Sequence, residues 1–448
     1  MSKARRNGLI LIVLSGALSV LWGLHLATTV PGGALDFQGL YFGTRCLMQH
    51  CDPYNLRELD AELSREGFKD PAETPQRHQV KVLYVNVPTT FLFVAPLAAM
   101  PWEIARFLWM AAIIAGFMTA AILMWDLGSR ASPGIAALLV CITLINSEVI
   151  IATGNTAGLV VSLTILATWC FLQDRFVWLG VLFFAAALAI KPHDSGLVWL
   201  YFVLAGGAWR KRALQSVAIT ALLAIAAFAW VTHVAPNWIP ELRANLASIS
   251  APGGLNEPGP ASVTSHTAGM VVDLQAAVSI FWDRAAIYNP VSYAICGILL
   301  VLWVFKTVRS PCNRASAWMA IAAVVPLTML VTYHRPYDTK LLLLSVPACC
   351  ALWAQGGRSG RIAAVLSAAA VALTGDVPLA ACIVISKSVL PSTTGPLHTL
   401  MALLLTRPAS LILLAIAGFY LQVFLKQRSA SQASPWDAGP DASLPARS

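Results

Sequence analysis

Residues 107–125 read FLWMAAIIAGFMTAAILMW, with Arg106 before them and Asp126 after, and no ionisable side chain between. A run of this length matches the ~20 apolar residues that cross a bilayer as one helix. The rest of the chain repeats the pattern. Apolar residues make up 58% of the 448 and charged residues 11%. A soluble domain carries about 25% charged residues to solvate its surface, so the chain is an all-α polytopic membrane protein.

The net charge of +9 comes from 30 Lys plus Arg against 21 Asp plus Glu. The cations fall in short clusters between apolar runs, which is topology information. No aromatic-basic pattern accompanies them, so nucleic acid is excluded as a partner. The strongest clusters are Trp209-Arg210-Lys211-Arg212, the stretch from Lys306 to Arg314, Arg358 with Arg361, and Lys426 with Arg428; Arg130 and Arg175 are weaker. Placing all of them in the cytoplasm predicts twelve crossings, at about 8–30, 102–126, 133–152, 155–173, 176–191, 194–208, 212–234, 288–306, 315–333, 338–355, 361–379 and 399–425. Both termini are then cytoplasmic, in a plasma or inner membrane. The basic start at Lys3, Arg5 and Arg6 resembles a signal sequence, but its apolar run exceeds the ~7–15 residues of a cleavable core, so an uncleaved first helix is expected.

Residues 87–100 are apolar but short, and contain Pro88 and Pro96; they are read as a partly embedded helix on the external side. Two long external segments are expected, 31–101 and 235–287, the first turn-rich around Pro71 and Pro75. The membrane domain runs over 1–428, and 429–448 reads as a disordered cytoplasmic tail. Five of the nine cysteines (Cys141, Cys170, Cys296, Cys349, Cys350) sit in apolar runs as small core residues. Cys46 and Cys51 share an external segment, where a disulfide is one option; they are read here as two free thiols.

Polar residues gather on the external side. Asp36 follows the first helix, with Phe37, Tyr41, Arg45 and Asp52-Pro53-Tyr54 beyond it. Asp36 is either a helix cap or a working carboxylate. Gly154-Asn155 separates two apolar runs, and a plain turn is the simpler account of it. Lys191-Pro192-His193-Asp194 interrupts another run, where a snorkelling lysine is the bland account. Tyr333-His334-Arg335-Pro336-Tyr337-Asp338, with Lys340 after it, holds more ionisable groups than a connector needs. His266 stands alone and carries no role. Together these supply a carboxylate base and several cations suited to a phosphate, the combination needed for group transfer from a lipid phosphate to a hydroxyl. A transporter or lipid flippase is the rival class, but its site would lie near the midplane, between paired halves.

These stretches carry a resemblance. Asp36-Phe37 through Tyr41-Phe42 to Asp52-Pro53-Tyr54, then Tyr84 to Pro88, Pro96-Leu97, Pro101, Gly154-Asn155, Lys191-Pro192 and 333–338 follow the order seen in glycosyltransferase family 87. That family uses polyprenyl-phosphate sugars and includes mannosyltransferases of phosphatidylinositol mannoside synthesis. The chain departs from it in reading Gly154-Asn155 for Gly-Gln, and Tyr84-Val85-Asn86-Val87-Pro88 for a Tyr-Pro-Pro stretch. The resemblance implies a GT-C-like fold of about twelve transmembrane helices with external juxtamembrane helices. It implies an inverting transfer of a hexose, mannose being the first guess, to a glycolipid or polysaccharide acceptor among the membrane lipids of the cell envelope. Asp36 would be the catalytic base. Lys191, His334, Arg335, Tyr337 and Asp338 would hold the donor phosphate and sugar, and Phe37, Tyr41 and Tyr54 would flank the acceptor. No metal-ligand spacing is evident, so neither metal nor cofactor is expected.

Overall fold

The computed structural model describes residues 2–29, 34–65, 83–265, 267 and 270–427. Pro71, Pro75, His266, Arg428 and the expected tail 429–448 lie outside the described residues. Within them the regular elements are all helices, with no strand.

The helices are α1 Lys3–Thr29, α2 Leu35–Met48, α3 Leu56–Arg65, α4 Thr89–Ala98, α5 Trp102–Ser129, α6 Pro133–Ile145, α7 Glu148–Thr153 and α8 Thr156–Gln173. There follow α9 Val177–Ile190, α10 Pro192–Ala205, α11 Gly207–Val234, α12 Trp238–Ser250, α13 Leu274–Val278, α14 Ala285–Arg309 and α15 Arg314–Val331. A 3-10 helix, Asp338–Ser345, leads into α16 Val346–Gln355; α17 Gly357–Leu373, α18 Asp376–Val389, α19 Gly395–Thr406 and α20 Pro408–Lys426 complete the described helices. Eight of these spans among the described residues are long and apolar enough to cross a membrane: α1, α5, α6 with α7, α8, α11, α14, α15 and α20. The expectation of an all-α polytopic membrane protein is met.

Helix α15 forms the centre. Asn313 caps its start by accepting from the Ser316 N–H at 2.9 Å. Every residue from Ser316 to Leu330 is buried, the mark of a helix apolar on all faces. It is covered by α10, α14, the 3-10 helix and α20. Helices α1, α11 and α14 instead present long apolar side chains outward, such as Leu21, Leu222 and Val301, where lipid rather than protein would meet them.

Two of the expected crossings are interrupted. The stretch 361–379 is bent: α17 ends at Leu373, and the chain turns by 77° before α18. The bend follows from Gly375, whose backbone lies so close to the Asn146 side chain that no Cβ would fit. The stretch 399–425 is divided at Arg407 into α19 and α20. Pro408 opens α20 where its missing N–H costs nothing. The buried Arg407 guanidinium satisfies the local carbonyls of Ala276 (3.1 Å), Ser265 (3.2 Å) and Thr406 (3.0 Å). The segment read as a short partly embedded helix is α4, ten residues with Pro96 inside, packed against α2 and α11. Ten residues are too few to span a bilayer.

Polar contacts separate the two ends of the bundle. At one end Arg5 and Arg130 pair with Asp126 (2.6 and 2.7 Å), and Arg212 pairs with Asp174. There too Trp209 reaches the Phe171 carbonyl (3.1 Å), Arg314 that of Leu172 (2.7 Å) and Lys306 that of Gln427 (2.7 Å). The cationic helix ends are thus gathered together. The opposite end carries α2, α3, α4 and α12, and the turns at Gly154, Lys191 and 332–337.

The cysteine reading is also corrected: Cys46 and Cys51 form a disulfide. Helix α2 stops at Met48, and His50 adopts a left-handed φ of 64° that turns the chain back. The Cys51 N–H then donates to the Cys46 carbonyl at 2.9 Å, and the Cα atoms come within 5.0 Å, inside bonding range.

Candidate functional site

The site is assembled from turns that are separated in sequence. The first element is the start of α2. Ala34 takes a left-handed φ of 43° and donates its N–H to the Ala152 carbonyl at 3.2 Å. Gly154, with φ +64°, ends α7 so close to α2 that a Cβ would stand 2.9 Å from the Cβ of Phe37. Glycine is needed there on both counts. Trp109 fixes the turn by donating its indole N–H to the Gly154 carbonyl at 2.7 Å.

This packing delivers Asn155 to Asp36. The Asn155 side chain does two things: its Oδ1 caps α8 by accepting from the Ala157 N–H at 2.8 Å, and its Nδ2 donates to Asp36 Oδ2 at 2.9 Å. Asp36 itself is exposed. Its second carboxylate oxygen is not needed to close the helix, since α2 has no side-chain cap. The capping alternative for Asp36 is therefore set aside.

The second element is the Lys191–Pro192 break between α9 and α10, and the third is the 332–338 turn after α15. They meet through charge. Lys191 forms an ion pair with Asp338 and a second with Asp194 at 3.1 Å, and lies over the ring of Tyr337, 5.5 Å from its centroid. Asp338 also accepts from the Arg335 backbone N–H at 2.8 Å, which closes the turn. His334 is fully buried: its Nδ1–H donates to the Thr332 carbonyl at 2.8 Å and its Nε2 faces Asp194 Oδ1 at 3.1 Å. His193 lies beside it, half exposed, with its Nε2 3.5 Å from the same oxygen.

Arg335 ties in a fourth element, the 251–256 segment after α12. Its Nε donates to the Tyr333 hydroxyl at 2.6 Å, and one terminal nitrogen reaches the Leu255 carbonyl (2.9 Å) and Asn256 Oδ1 (3.2 Å). Burial alone would lower its pKa. Tyr333, Tyr337 and Asp36 face the guanidinium and outweigh burial, so the pKa is raised and the group stays charged.

The aromatic residues read as acceptor-side lie inside the protein. Phe37 stacks on Trp109 and Trp102 (ring centroids 4.9 and 5.6 Å apart), and the Tyr41 hydroxyl donates to the Met100 carbonyl at 2.6 Å. Tyr54 sits edge-on to Tyr84 and donates to the Asn86 carbonyl at 2.9 Å. All three are buried and hold α2 and the chain after it against α4 and α5.

The structure therefore brings Lys191, His334, Tyr337 and Asp338 together, and joins Asp36 to Asn155. The amino-acid sequence does not single out Asp194 and Asn155 as site residues. Asp194 carries a signal, a carboxylate three residues after a lysine at a helix start. That spacing is ordinary, and only the fold shows which partners it meets.

A family model, glycosyltransferase family 87, matches residues 84–333. The match spans the Gly154–Asn155 and Lys191–Pro192 turns and stops at Tyr333, short of His334 to Asp338; Asp36 precedes it. No curated protein and no solved structure matches the chain. Because the matched residues make up more than half of its length, this membrane protein belongs to glycosyltransferase family 87 and is a glycosyltransferase.

Proposed function

We infer that the enzyme moves a hexose from a polyprenyl-phosphate donor to an acceptor hydroxyl of a glycolipid or polysaccharide, with inversion at the anomeric carbon. The observation that carries this reading is an exposed carboxylate, Asp36, oriented by Asn155 at the end of the bundle where Lys191 and Arg335 gather. The helical body, without a strand among its described residues, supports a lipid-linked donor rather than a nucleotide sugar bound on a parallel sheet.

In this mechanism Asp36 takes the proton of the acceptor hydroxyl as its oxygen attacks the anomeric carbon. A new C–O bond forms on the face opposite the phosphate. The bond to the phosphate oxygen breaks, and the lipid phosphate leaves with the electron pair. Lys191 and Arg335 stabilise the negative charge on that phosphate, and His334, held by the Thr332 carbonyl and facing Asp194, fixes the turn that carries Arg335. Tyr337 and Asp338 orient the two cations or accept from sugar hydroxyls. Phe37, Tyr41 and Tyr54 serve the acceptor side by fixing the wall that carries Asp36.

The reacting end is placed outside a plasma or inner membrane, and both termini in the cytoplasm. Two observations support that. The cationic helix ends sit at the other end of the bundle, as cytoplasmic ends do. The Cys46–Cys51 disulfide lies in the segment that follows Asp36, and disulfides persist in oxidising compartments. Transfer of label from polyprenyl-phosphate mannose to a membrane lipid extract tests the reaction. Product from wild type and none from Asp36→Asn supports it. Product from both variants removes Asp36 from the role of base, and product from neither removes this donor and acceptor pairing.

A further inference from the structure

We propose that His193, Asp194 and His334 form a binding site for a divalent transition-metal ion beside Lys191. The site rests on its own geometry; its role at the donor phosphate rests on the reading above.

The argument begins with His334. Its Nδ1 is hydrogen-bonded to the Thr332 carbonyl, which can only accept, so the ring proton is on Nδ1. The Nε2 lone pair then points at Asp194 Oδ1, 3.1 Å away. Asp194 Oδ1 and the His334 Nε2 of a neutral ring are two acceptors pressed together in a buried place, while Asp194 Oδ2 is taken by Lys191 at 3.1 Å. Two facing buried acceptors are costly, and a positive charge between them, a proton or a metal ion, removes that cost. Lys191 approaches Asp194 on its other oxygen, Oδ2, and leaves Oδ1 free for that charge.

The distances fit a metal. The three ligand atoms lie within 4.8 Å of one another. Asp194 Oδ1 is 3.1 Å from His334 Nε2 and 3.5 Å from His193 Nε2. Bonds of about 2.0–2.2 Å to one ion would set neighbouring ligand atoms about 3.0–3.5 Å apart in octahedral or tetrahedral arrangement. The Thr332 carbonyl supplies the outer partner that ligating histidines usually have. Two imidazoles and one carboxylate suit zinc, manganese, iron or cobalt rather than magnesium. His193 is half exposed and gives the ion a route in.

The sequence hides this site because its ligands come from two turns far apart in the chain.

The test uses the detergent-purified full chain, stripped with a chelator and dialysed against Co²⁺ and, separately, Zn²⁺. The expected result is one ion per chain, with the visible ligand-field absorption of protein-bound Co²⁺, and at least ~tenfold weaker binding in His193→Ala. His193 is exposed, so this variant keeps its fold; Asp194→Asn is the second variant and is also expected to lose the ion. Uptake that is absent in wild type, or equal in wild type and His193→Ala, overturns the site and leaves a proton on His334 Nε2 in its place. If cobalt binds but no metal changes transfer, the site stands and its role at the donor phosphate falls.

Discussion

Asn155 Nδ2 stands 2.9 Å from Asp36 Oδ2, while the same side chain caps α8 through its Oδ1. One amide therefore links the stability of a membrane helix to the orientation of the proposed base. Replacing it separates the two roles. Asn155→Asp keeps the cap but sets a second carboxylate beside Asp36. Like charge disfavours ionisation, so the acid limb of the rate–pH profile should move to higher pH. Asn155→Ala loses the cap as well, at about 0.5–2 kcal/mol of stability, and should lower the thermal midpoint. A profile unmoved in Asn155→Asp would separate Asn155 from catalysis.

Asp36→Asn should cut transfer by about 10²–10⁴-fold, the usual worth of a general base. Because Asp36 is exposed and makes no cap, its thermal midpoint should match wild type. Activity above a tenth of normal would remove it from that role.

Arg335→Lys should raise the KM for donor by roughly tenfold, because an ammonium cannot reproduce the fork that holds Tyr333, Leu255 and Asn256. Hydrogen–deuterium exchange provides the second reading. Faster exchange over residues 251–256 is expected in the variant, and unchanged exchange would mean that the guanidinium does not hold that segment.

Glu241 on α12 faces Asp52. Burial raises both groups above the usual carboxylate range, and the charge of Asp52 raises Glu241 further. A carboxyl raised on folding stabilises the fold at low pH, and that contribution is lost as pH rises through its folded value. Glu241→Gln removes the loss. The variant should melt above wild type at neutral pH, with the gap closing as pH falls toward about 4. An equal gap at both pH values would show that the pair does not titrate.

Orientation can be read from two cysteines. After mild reduction of intact cells, a membrane-impermeant maleimide should label Cys51, in the disulfide at the end of α2. Cys312 is exposed and free, at the cationic end, and should label only after permeabilisation. The reverse pattern would invert the proposed topology.

Much of this architecture is legible in the amino-acid sequence. The crossing at 315–333 is legible because only Ser316 and Thr328 interrupt its apolar run up to Leu330; that the helix is buried on every face is shown only by the fold. Lys191 and the 333–338 turn stand out because ionisable side chains are rare between apolar helices. The breaks carry local signals, Gly375-Asp376 with Pro378 and Arg407-Pro408, which the apolar runs on either side obscure; the contacts with Asn146, Ala276 and Ser265 come only from the fold. The disulfide depends on one backbone angle at His50. Asp194 and Asn155 gain their meaning only from neighbours that the fold supplies.

The enclosure of α15 has a consequence for biogenesis. Part of its cover is α20, the last helix described, whose preceding residue Arg407 also anchors the segments around Ser265 and Ala276. A nascent chain that has emerged only through α15 already contains Asp36, Asn155 and Lys191, yet its central helix still shows one face to lipid. The packing around that helix is complete only once α20 has also been made, so the site gains its full support after most of the described chain has been translated.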